Sequence, residues 1–380
     1  MKEIYLDNSA TTRVCDEAAA KVLEIMTEKY GNPSSLHTKG YEAQKELEAA
    51  RAAAASVLSA EPSEIVFTSG GTESNNTAAF GAVRALKRRG SRIVTTAVEH
   101  SSVLEAMQQL ENNGFEVIYL MPDRYGRIST EQIAAAVDDK TILVSIMAVN
   151  NETGAIQPVD SVKRIIERAS SPALFHVDAV QGFGKLPLKP KRSGIDLLSA
   201  SSHKIHGPKG AGILYIRKGA RIVPLHYGGE QERKIRPGTE PLPAVCGMGA
   251  AIRALPDITS ETEHIKALNN HLRERLSRLD NVVINSSDDS LPYILNFSVV
   301  GIRSETMLHY LEQQGIYVSS GSACARGKKS HVLSSMGLTA AEADSAVRVS
   351  FSRYNTTEEL DNLVYWLINA NNTLARSKKK

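Results

Sequence analysis

One lysine of the chain is placed where its amine could act as a nucleophile. Lys204 lies in the stretch SASSHKIHGPKG, just after a strand-like run at 195–201. An amine shielded from water loses proton affinity and can attack a carbonyl group. Ser201 and His203, its near neighbours, could donate hydrogen bonds to a phosphate. Because lysines are usually solvated, a surface charge is the alternative that this lysine alone leaves open.

Two other strand-like runs carry a carboxylate and an imidazole. Asp178 lies in FHVDAVQG, a run with the apolar character of a buried strand, and a buried carboxylate needs a partner. A protonated ring nitrogen or an arginine would meet that need. His100, in VEHSSV, closes a strand-like run ahead of a helix. It could lie against a planar ring and move protons, or it could only cap the helix.

Two turns add groups that suit an anion or a polar ligand. FTSGGTESNN passes from a strand through Gly70 and Gly71 into a helix that opens near Thr72. The free N–H groups at such a helix start suit a phosphate, although an ordinary helix cap uses the same residue types. Asn150 and Asn151, in AVNNETG, end an apolar run and suit either a ligand or a turn.

Taken together, these residue types match the needs of one cofactor. Pyridoxal phosphate requires a lysine for its aldehyde and an acidic partner that keeps its ring nitrogen protonated. Its phosphate requires several hydrogen-bond donors. Each candidate follows a strand-like run, and ligands of open α/β sheets bind beyond the carboxyl ends of the strands. We therefore expect a pyridoxal phosphate site at one edge of a sheet.

The elements that must position these residues alternate between strands and helices. Helical stretches such as 72–90, 102–114 and 159–170 separate several short, β-branched runs. Those runs lie at 64–69, 91–98, 115–120, 141–149, 174–180, 195–201 and 211–216. Apolar strands joined by helical crossovers are typical of a doubly wound α/β sheet.

The pattern of the sequence changes after about residue 255. Amphipathic helices are expected near 260–279, 304–315 and 357–375, with strands between them at 293–300, 316–321 and 346–353. This arrangement predicts a smaller α+β domain. We expect a large cofactor-binding domain at 13–256 and a small domain formed by 1–12 and 257–380.

Composition and charge argue against several other classes of protein. The chain has 380 residues, 42% of them hydrophobic and 23% charged, as in ordinary globular proteins. A net charge of +3 gives no reason to expect nucleic-acid binding, and no apolar run is long enough to predict a membrane span. The N-terminus shows no signal-peptide pattern, and the three cysteines show no zinc-like spacing. We expect a cytoplasmic protein without a metal site.

Ten motifs of the chain resemble, in order, those of the cysteine desulfurases. They are YLDNSATT, GNPSSLH, FTSGGTESNN, VEHSSV, NNETG, HVDAVQG, SSHKIHGPKG, RPGTE, SSGSAC and RVSFSRYNT. This family belongs to the class V aminotransferase group of pyridoxal-phosphate enzymes, which has fold type I. The resemblance implies a large domain with a mainly parallel seven-stranded sheet between helices, together with a smaller α+β domain.

The resemblance also implies roles for the residues that match the family motifs. Lys204 would hold the cofactor covalently, His100 would stack on its ring and move protons, and Asp178 would pair with its ring nitrogen. Thr239, in RPGTE, would reach the phosphate of the neighbouring subunit, which implies a homodimer with shared sites. The other cofactor contacts that the family implies are Gly71, Thr72, Asn151, Gln181 at the phenolic oxygen, Ser201 and His203.

For the substrate, the resemblance implies L-cysteine, with its carboxylate bound by Asn151 and Arg348. Cys324 would take the sulfur as a persulfide, leaving L-alanine as the product. It lies in SSGSACARGKKSHVL, where a flexible loop could carry the thiol and nearby basic residues could favour the thiolate. A surface thiol without a role is the alternative for Cys324 alone.

The family resemblance leaves the sulfur acceptor and some rival functions open. The short basic segment after Cys324 is compatible with an iron–sulfur scaffold or a tRNA-thiolating enzyme as the acceptor. A selenocysteine lyase or an ordinary class V aminotransferase would use the same cofactor, although an aminotransferase needs no mobile thiol. A homologue without activity could still serve as a sulfur-transfer partner.

Overall fold

The computed structural model describes residues 3–320 and 330–374 of the chain. Its strands are, in chain order, β1 (Ile4–Tyr5), β2 (Ile65–Thr68), β3 (Arg92–Thr96), β4 (Glu116–Leu120), β5 (Thr141–Ser145), β6 (Leu174–Asp178), β7 (Leu197–Ser201), β8 (Gly212–Ile216), β9 (Val282–Ile284), β10 (Ile294–Val299), β11 (Ile316–Tyr317) and β12 (Ala346–Ser350).

The α-helices of the same residues are α1 (Asp16–Thr27), α2 (Thr38–Leu58), α3 (Gly71–Leu86), α4 (Ser101–Asn112), α5 (Thr130–Ala136), α6 (Val159–Arg168), α7 (Pro190–Ser193), α8 (Leu242–Arg253), α9 (Ile258–Leu276), α10 (Ser304–Glu312), α11 (His331–Ser335), α12 (Ala340–Asp344) and α13 (Thr357–Thr373). Short 3-10 helices lie at Pro62–Glu64, Ser202–Lys204 and Gln231–Lys234.

The central sheet has seven strands in the order β2-β8-β7-β6-β5-β3-β4. The pairs from β7 to β4 are parallel, whereas β8 runs antiparallel to both β2 and β7. The predicted strand runs between 64 and 216 supply all seven strands. The expected mainly parallel seven-stranded sheet is therefore confirmed.

Alternating side chains of the sheet feed two separate hydrophobic cores. In β2, Ile65 and Phe67 belong to the larger core, while Val66 belongs to the smaller core under α3 and α4. This follows from the pleat of a strand, which sends successive side chains to opposite faces. Because helices cover both faces, even the strand residues between apolar ones are buried, as they are throughout β5 and β7.

The last third of the chain builds the smaller α+β part. β10 pairs antiparallel with β9 and β12, and α9 and α13 pack against each other beside them. β1 pairs in parallel with β11, which brings the first residues of the chain to this part. The larger hydrophobic core is continuous from the central sheet into α9, β10 and α13. The domain boundaries at 12/13 and 256/257 stay a prediction.

Within these described ranges, no helix combines the length and the apolar character needed to cross a bilayer.

Candidate functional site

A cavity of about 240 Å³ lies where β2, β3, β5, β6 and β7 end. These strands run in one direction, so the residues that follow them meet at one edge of the sheet. The predicted site residues that line this cavity are Gly71, Thr72, His100, Asn151, Asp178, Gln181, Ser201, His203, Lys204 and Arg348.

Thr239 is a predicted site residue that does not line the cavity. Thr239 is exposed, and the prediction for it concerns the site of a neighbouring subunit. Cys324 lies in 321–329, outside the described residues. The chain on either side of that segment is held near the cavity. Ser319 exchanges two backbone hydrogen bonds with Arg348, of 3.1 and 2.6 Å, and the Ser330 hydroxyl donates to Glu152 over 2.5 Å.

Lys204 lies at the end of the 3-10 helix that follows β7, and its side chain lines the cavity. Its Nζ donates hydrogen bonds to the backbone carbonyls of Ser9, at 2.5 Å, and Ala10, at 2.7 Å. The amine therefore faces the cavity from a fixed position between the end of the sheet and the N-terminal segment. A lysine solvated on the outer surface, the alternative left open by the sequence, does not describe this residue.

Asp178 ends β6 with its side chain almost fully buried at the cavity wall. Its Oδ2 accepts from Asn75 Nδ2 at 2.8 Å, and its Oδ1 accepts from the Val180 amide at 2.9 Å. Among the described residues, no arginine forms an ion pair with this carboxylate. The arginine partner considered from the sequence is therefore not what supports Asp178, and the carboxylate lines a cavity instead.

His100 caps α4 and also lines the cavity, so its role as a helix cap does not exclude the other interpretation of the sequence. Its Nδ1 accepts from the Ser102 amide at 3.2 Å and lies 2.8 Å from the Ser102 hydroxyl. Burial lowers the pKa of His100, Asp178 opposes that shift, and Lys204 and His331 add to it. The net result favours a neutral imidazole.

Arg348 lies in β12 and is 1% exposed. Among the described residues that line the cavity, it is the one from the C-terminal third of the chain. Nη1 donates to the Asn151 carbonyl at 2.9 Å, and Nη2 donates to Asp7 at 2.7 Å. Within the part of the chain that the structure describes, its Nε has no hydrogen-bond partner. A buried guanidinium held in this way can still bind a carboxylate in two-point geometry.

The structure distinguishes Asn150 from Asn151, for which the sequence left both a turn and a ligand open. Asn150 is fully buried, and its Oδ1 accepts from the amides of Glu152 and Thr153, so it forms the turn. Asn151 lines the cavity. The turn thus positions one amide side chain toward the site by burying the other.

The glycine turn after β2 brings backbone close to the end of β6. A Cβ atom at Gly71 would lie 2.7 Å from Val180 Cγ2, closer than real Cβ contacts. α3 begins at Gly71, so its first N–H groups face this crowded end of the cavity. Thr72, Ser201 and His203 lie around the same opening. Burial, with help from Lys204 and other cations, lowers the pKa of His203 to about 4.

The N-terminal segment 7–12 is a functional element that residue-by-residue analysis of the sequence missed. Besides Asp7 and the two carbonyls that hold Lys204, the Ser9 carbonyl accepts from Gln181 at 2.9 Å. The Thr11 hydroxyl lies 3.2 Å from His203 Nδ1. The signal for it was the motif YLDNSATT, which the family resemblance contained without assigning any of its residues.

Unpartnered polar atoms around the cavity provide a test of whether a ligand fits there. Four buried atoms of cavity-lining residues have no hydrogen-bond partner among the described residues: Ser9 Oγ, Asn75 Oδ1, Gln181 Oε1 and Arg348 Nε. Buried polar groups are normally satisfied, so their concentration here indicates a polar ligand. Donors at the glycine turn, a carboxylate and a lysine amine fit the groups of pyridoxal phosphate.

The described cysteines are poor nucleophiles. Cys15 and Cys246 are both buried, and burial raises the pKa of each thiol, that of Cys246 to about 12. Since the thiolate is the reactive form, neither suits sulfur transfer.

Comparison with known proteins agrees with this geometry. Residues 4–363 match the family model Aminotransferase class-V. The chain is 42% identical to "Cysteine desulfurase IscS" of Methanosarcina thermophila over 96% of this chain and 90% of the relative. It is 43% identical to "Cysteine desulfurase 2" of Trichormus variabilis over 96% of this chain and 92% of the relative.

Solved structures show the same relationship. A structure titled "NIFS-LIKE PROTEIN" superposes with a TM-score of 0.92 at 41% identity, covering 98% of this chain and all of the other. A second, "SspA in complex with cysteine", has a TM-score of 0.82 at 33% identity and covers 93% of this chain and all of the other. With its sheet, its cavity and these relatives in agreement, the chain belongs to the cysteine desulfurases of the class-V aminotransferase family.

Proposed function

We propose that the chain converts L-cysteine to L-alanine with pyridoxal phosphate as cofactor and leaves the sulfur as a persulfide on Cys324. The observation that carries this proposal is the convergence of Lys204, Asp178, His100 and Arg348 on one cavity. A relative solved in complex with cysteine supports L-cysteine as the substrate.

Each end of the cavity offers the groups that one part of the cofactor needs. When bound, pyridoxal phosphate supplies a ring that withdraws electrons from the substrate α-carbon. Lys204 would hold its aldehyde carbon and Asp178 would face its ring nitrogen. Thr72, Ser201 and His203, with the helix start at Gly71, would hold its phosphate. Gln181, whose Nε2 is already bonded to the Ser9 carbonyl, would face the phenolic oxygen, and Asn151 would contact the ring.

The protein groups around the substrate divide binding from proton transfer. Arg348 would bind the substrate carboxylate, with its orientation set by Asp7 and the Asn151 carbonyl. The Lys204 amine would remove the α-proton, and the Ser9 and Ala10 carbonyls would then hold the resulting ammonium. His100, neutral in the buried site, would exchange the proton of the substrate thiol.

Sulfur transfer balances without an external oxidant. The Cys324 thiolate attacks the substrate sulfur, a sulfur–sulfur bond forms, and the bond from sulfur to the β-carbon breaks. The electron pair of that bond stays on the carbon, which takes up a proton and becomes the methyl group of alanine. Cys324 follows the Ser319 anchor by five positions and precedes Ser330 by six, so the chain length alone limits its distance from Ser319 to at most roughly 20 Å.

The assembly and the acceptor belong to the same proposal. We infer a homodimer in which Thr239 completes the partner's phosphate site, supported by the exposure of Thr239 and of the nearby Tyr227, which is 80% exposed. The persulfide would pass to an iron–sulfur scaffold or a tRNA-thiolating enzyme. A cytoplasmic location is supported by the few cysteines, of which Cys15 and Cys246 are free thiols.

Mass spectrometry of the protein after incubation with L-cysteine tests the proposal. We expect one added sulfur atom on the Cys324 peptide and release of alanine. Both should be lost in Lys204→Ala, and the added sulfur should be lost in Cys324→Ser. Cys15→Ser is the matched control, since that thiol is buried. Alanine formation that persists in Cys324→Ser, or activity with selenocysteine alone, would favour the lyase. A colourless protein that does not take up pyridoxal phosphate would overturn the proposal.

A further inference from the structure

The side-chain amide of Asn75 links Asp178 and His100, the two residues that would lie next to the cofactor ring. We propose that Asn75 is a positioning residue that holds Asp178 in place and, through Ser102, fixes which ring nitrogen of His100 carries the proton. Asn75 lies in FTSGGTESNN, on the first turns of α3, and was not among the predicted site residues. The meaning of this arrangement for catalysis rests on the proposed function, but the hydrogen bonds themselves do not.

The chemistry of its neighbours fixes the orientation of the Asn75 side chain. Asn75 is 1% exposed, and the same terminal atom lies 2.8 Å from Asp178 Oδ2 and 2.9 Å from Ser102 Oγ. A carboxylate only accepts hydrogen bonds, so the atom facing it is the NH2 group. Its two hydrogens are then both used, one for Asp178 and one for Ser102. The described residues offer no hydrogen-bond partner to the Oδ1 atom.

This orientation determines the direction of the next hydrogen bond. The Ser102 oxygen accepts from Asn75, which leaves the hydroxyl hydrogen free to point at His100 Nδ1, 2.8 Å away. The Ser102 amide also donates to the same nitrogen, at 3.2 Å. A nitrogen that accepts from two donors is unprotonated, so neutral His100 carries its hydrogen on Nε2. Of the residues that the structure describes, the ionisable groups that face this imidazole are Asp178, Lys204 and His331.

An asparagine is the side chain that can serve both partners at once. An aspartate at position 75 would place a second carboxylate 2.8 Å from Asp178 and would accept the hydroxyl hydrogen of Ser102. The Ser102 oxygen would then turn a lone pair toward His100 Nδ1, which stabilises a proton there. With asparagine, Asp178 keeps a donor, and His100 stays neutral with its Nε2–H group.

NMR of the apoprotein with 15N-labelled histidine tests this proposal without any cofactor. We expect wild-type His100 to show an unprotonated Nδ1 when neutral. In Asn75→Asp, the protonation constant of His100 should rise about tenfold or more, equivalent to about one unit in its pKa. Asn76→Asp is the matched control, because it adds the same charge one residue along the same helix. We expect Asn76→Asp to raise the pKa of His100 by less than half of the increase that Asn75→Asp causes.

A double substitution distinguishes an effect that Asn75 exerts through Ser102 from a general effect of charge or folding. In a Ser102→Ala background, Asn75→Asp should no longer switch the His100 tautomer. If Asn75→Asp does not fold, Ser102→Ala alone should give a mixture of neutral tautomers. Protonated Nδ1 in neutral wild-type His100, or equal titration in the Asn75 and Asn76 variants, overturns the proposal. Failure of the proposed function would show separately, as an absence of cofactor binding by the wild-type protein.

Discussion

At the scale of single residues, Arg348 shows how a buried cation is kept ready for a carboxylate. Its two terminal nitrogens are already held by Asp7 and the Asn151 carbonyl, and its Nε has no hydrogen-bond partner in 3–320 and 330–374. A lysine at this position has one nitrogen and no fork, so it can satisfy Asp7 or a substrate but not both in the same geometry.

We therefore expect Arg348→Lys to raise the KM for L-cysteine by about 10- to 100-fold, with a smaller loss in kcat. Steady-state rates of alanine release at varied L-cysteine measure both parameters. Arg353→Lys, at an arginine that donates to the Ala254 carbonyl and does not line the cavity, is the control. An unchanged KM in Arg348→Lys would show that another group binds the substrate carboxylate.

Residue-level analysis led to residues that line the cavity where one side chain is unusual for its surroundings. A carboxylate in an apolar run drew attention to Asp178, and a lysine after a strand drew attention to Lys204. Asn75 has no such contrast, since an asparagine near the start of a helix is ordinary. The carbonyls of Ser9 and Ala10 carry no information in their side chains, so their contacts with Lys204 are visible only in three dimensions.

At the scale of elements, the outer edge of strand β2 forms hydrogen bonds with side chains rather than with another strand. The Glu232 carboxylate accepts from both terminal nitrogens of Arg51 and from the Phe67 amide, each at 2.8 Å. Arg51 and Arg233 both donate to the Ile65 carbonyl. The edge groups that would invite another strand are therefore satisfied. Glu232 reaches them from a left-handed backbone, with a φ of 45°.

We expect Glu232→Ala to lower the free energy of unfolding by about 3–5 kcal/mol, because it leaves the buried Arg51 without its main partner. Glu48 is the other carboxylate that pairs with Arg51, and its own side chain is 52% exposed. Glu48→Ala should therefore lower the free energy of unfolding by less than about 1 kcal/mol. Urea unfolding of the two variants measures the difference. Equal losses would show that the Glu232 pair does not stabilise this edge.

The strands and helices were predictable from the sequence, but the residue at which a strand ends and the site begins was not. The apolar run 141–149 predicts one long strand, whereas β5 ends at Ser145. Beyond Val144, β5 no longer pairs with β3, and the Met147 amide donates instead to the Glu99 carboxyl at 2.8 Å. Burial raises the pKa of Glu99 to about 8. Hydrophobicity does not show when a side chain replaces a neighbouring strand.

At the scale of the whole molecule, buried histidines make stability depend on pH. His176, in β6, is fully buried between Ser145 and Ser199, and burial lowers its pKa to about 3. The unfolded chain takes up a proton there below about pH 6.5, while the folded chain does not. The stability linked to this group is thus fully present above about pH 6.5 and is lost as the pH falls toward 3.

Replacing this imidazole should flatten the pH dependence. We expect His176→Gln to reduce the slope of the unfolding free energy against pH by about 1.4 kcal/mol per pH unit between about pH 4 and 6. Chemical denaturation at several pH values measures the slope. His309→Gln, at an imidazole that is 78% exposed, is the control and should leave the slope unchanged. The same slope in His176→Gln as in wild type would contradict the prediction.

The proposed homodimer would cover an exposed apolar side chain, that of Leu36. Leu36 is 106% exposed and borders a groove of about 620 Å³, which is also lined by Glu230–Arg233 and by Glu240, next to Thr239. We expect Leu36→Glu to weaken self-association at least about tenfold, because it buries a charge on assembly. Sedimentation velocity across a range of concentrations measures this. Tyr365→Glu, at a tyrosine that is 59% exposed on α13, is the control. A monomeric wild-type protein would remove the basis for shared sites.

The contact between Asp7 and Arg348 joins positions separated by 341 residues. A ribosome that adds roughly 5–20 residues per second needs about 17–70 s to travel that distance. During that part of synthesis Asp7 has not yet met Arg348, and the nascent chain lacks the guanidinium group that would bind the substrate carboxylate. The pocket is thus completed only after Arg348 has been added to the chain, which would keep a shorter nascent chain from starting sulfur chemistry.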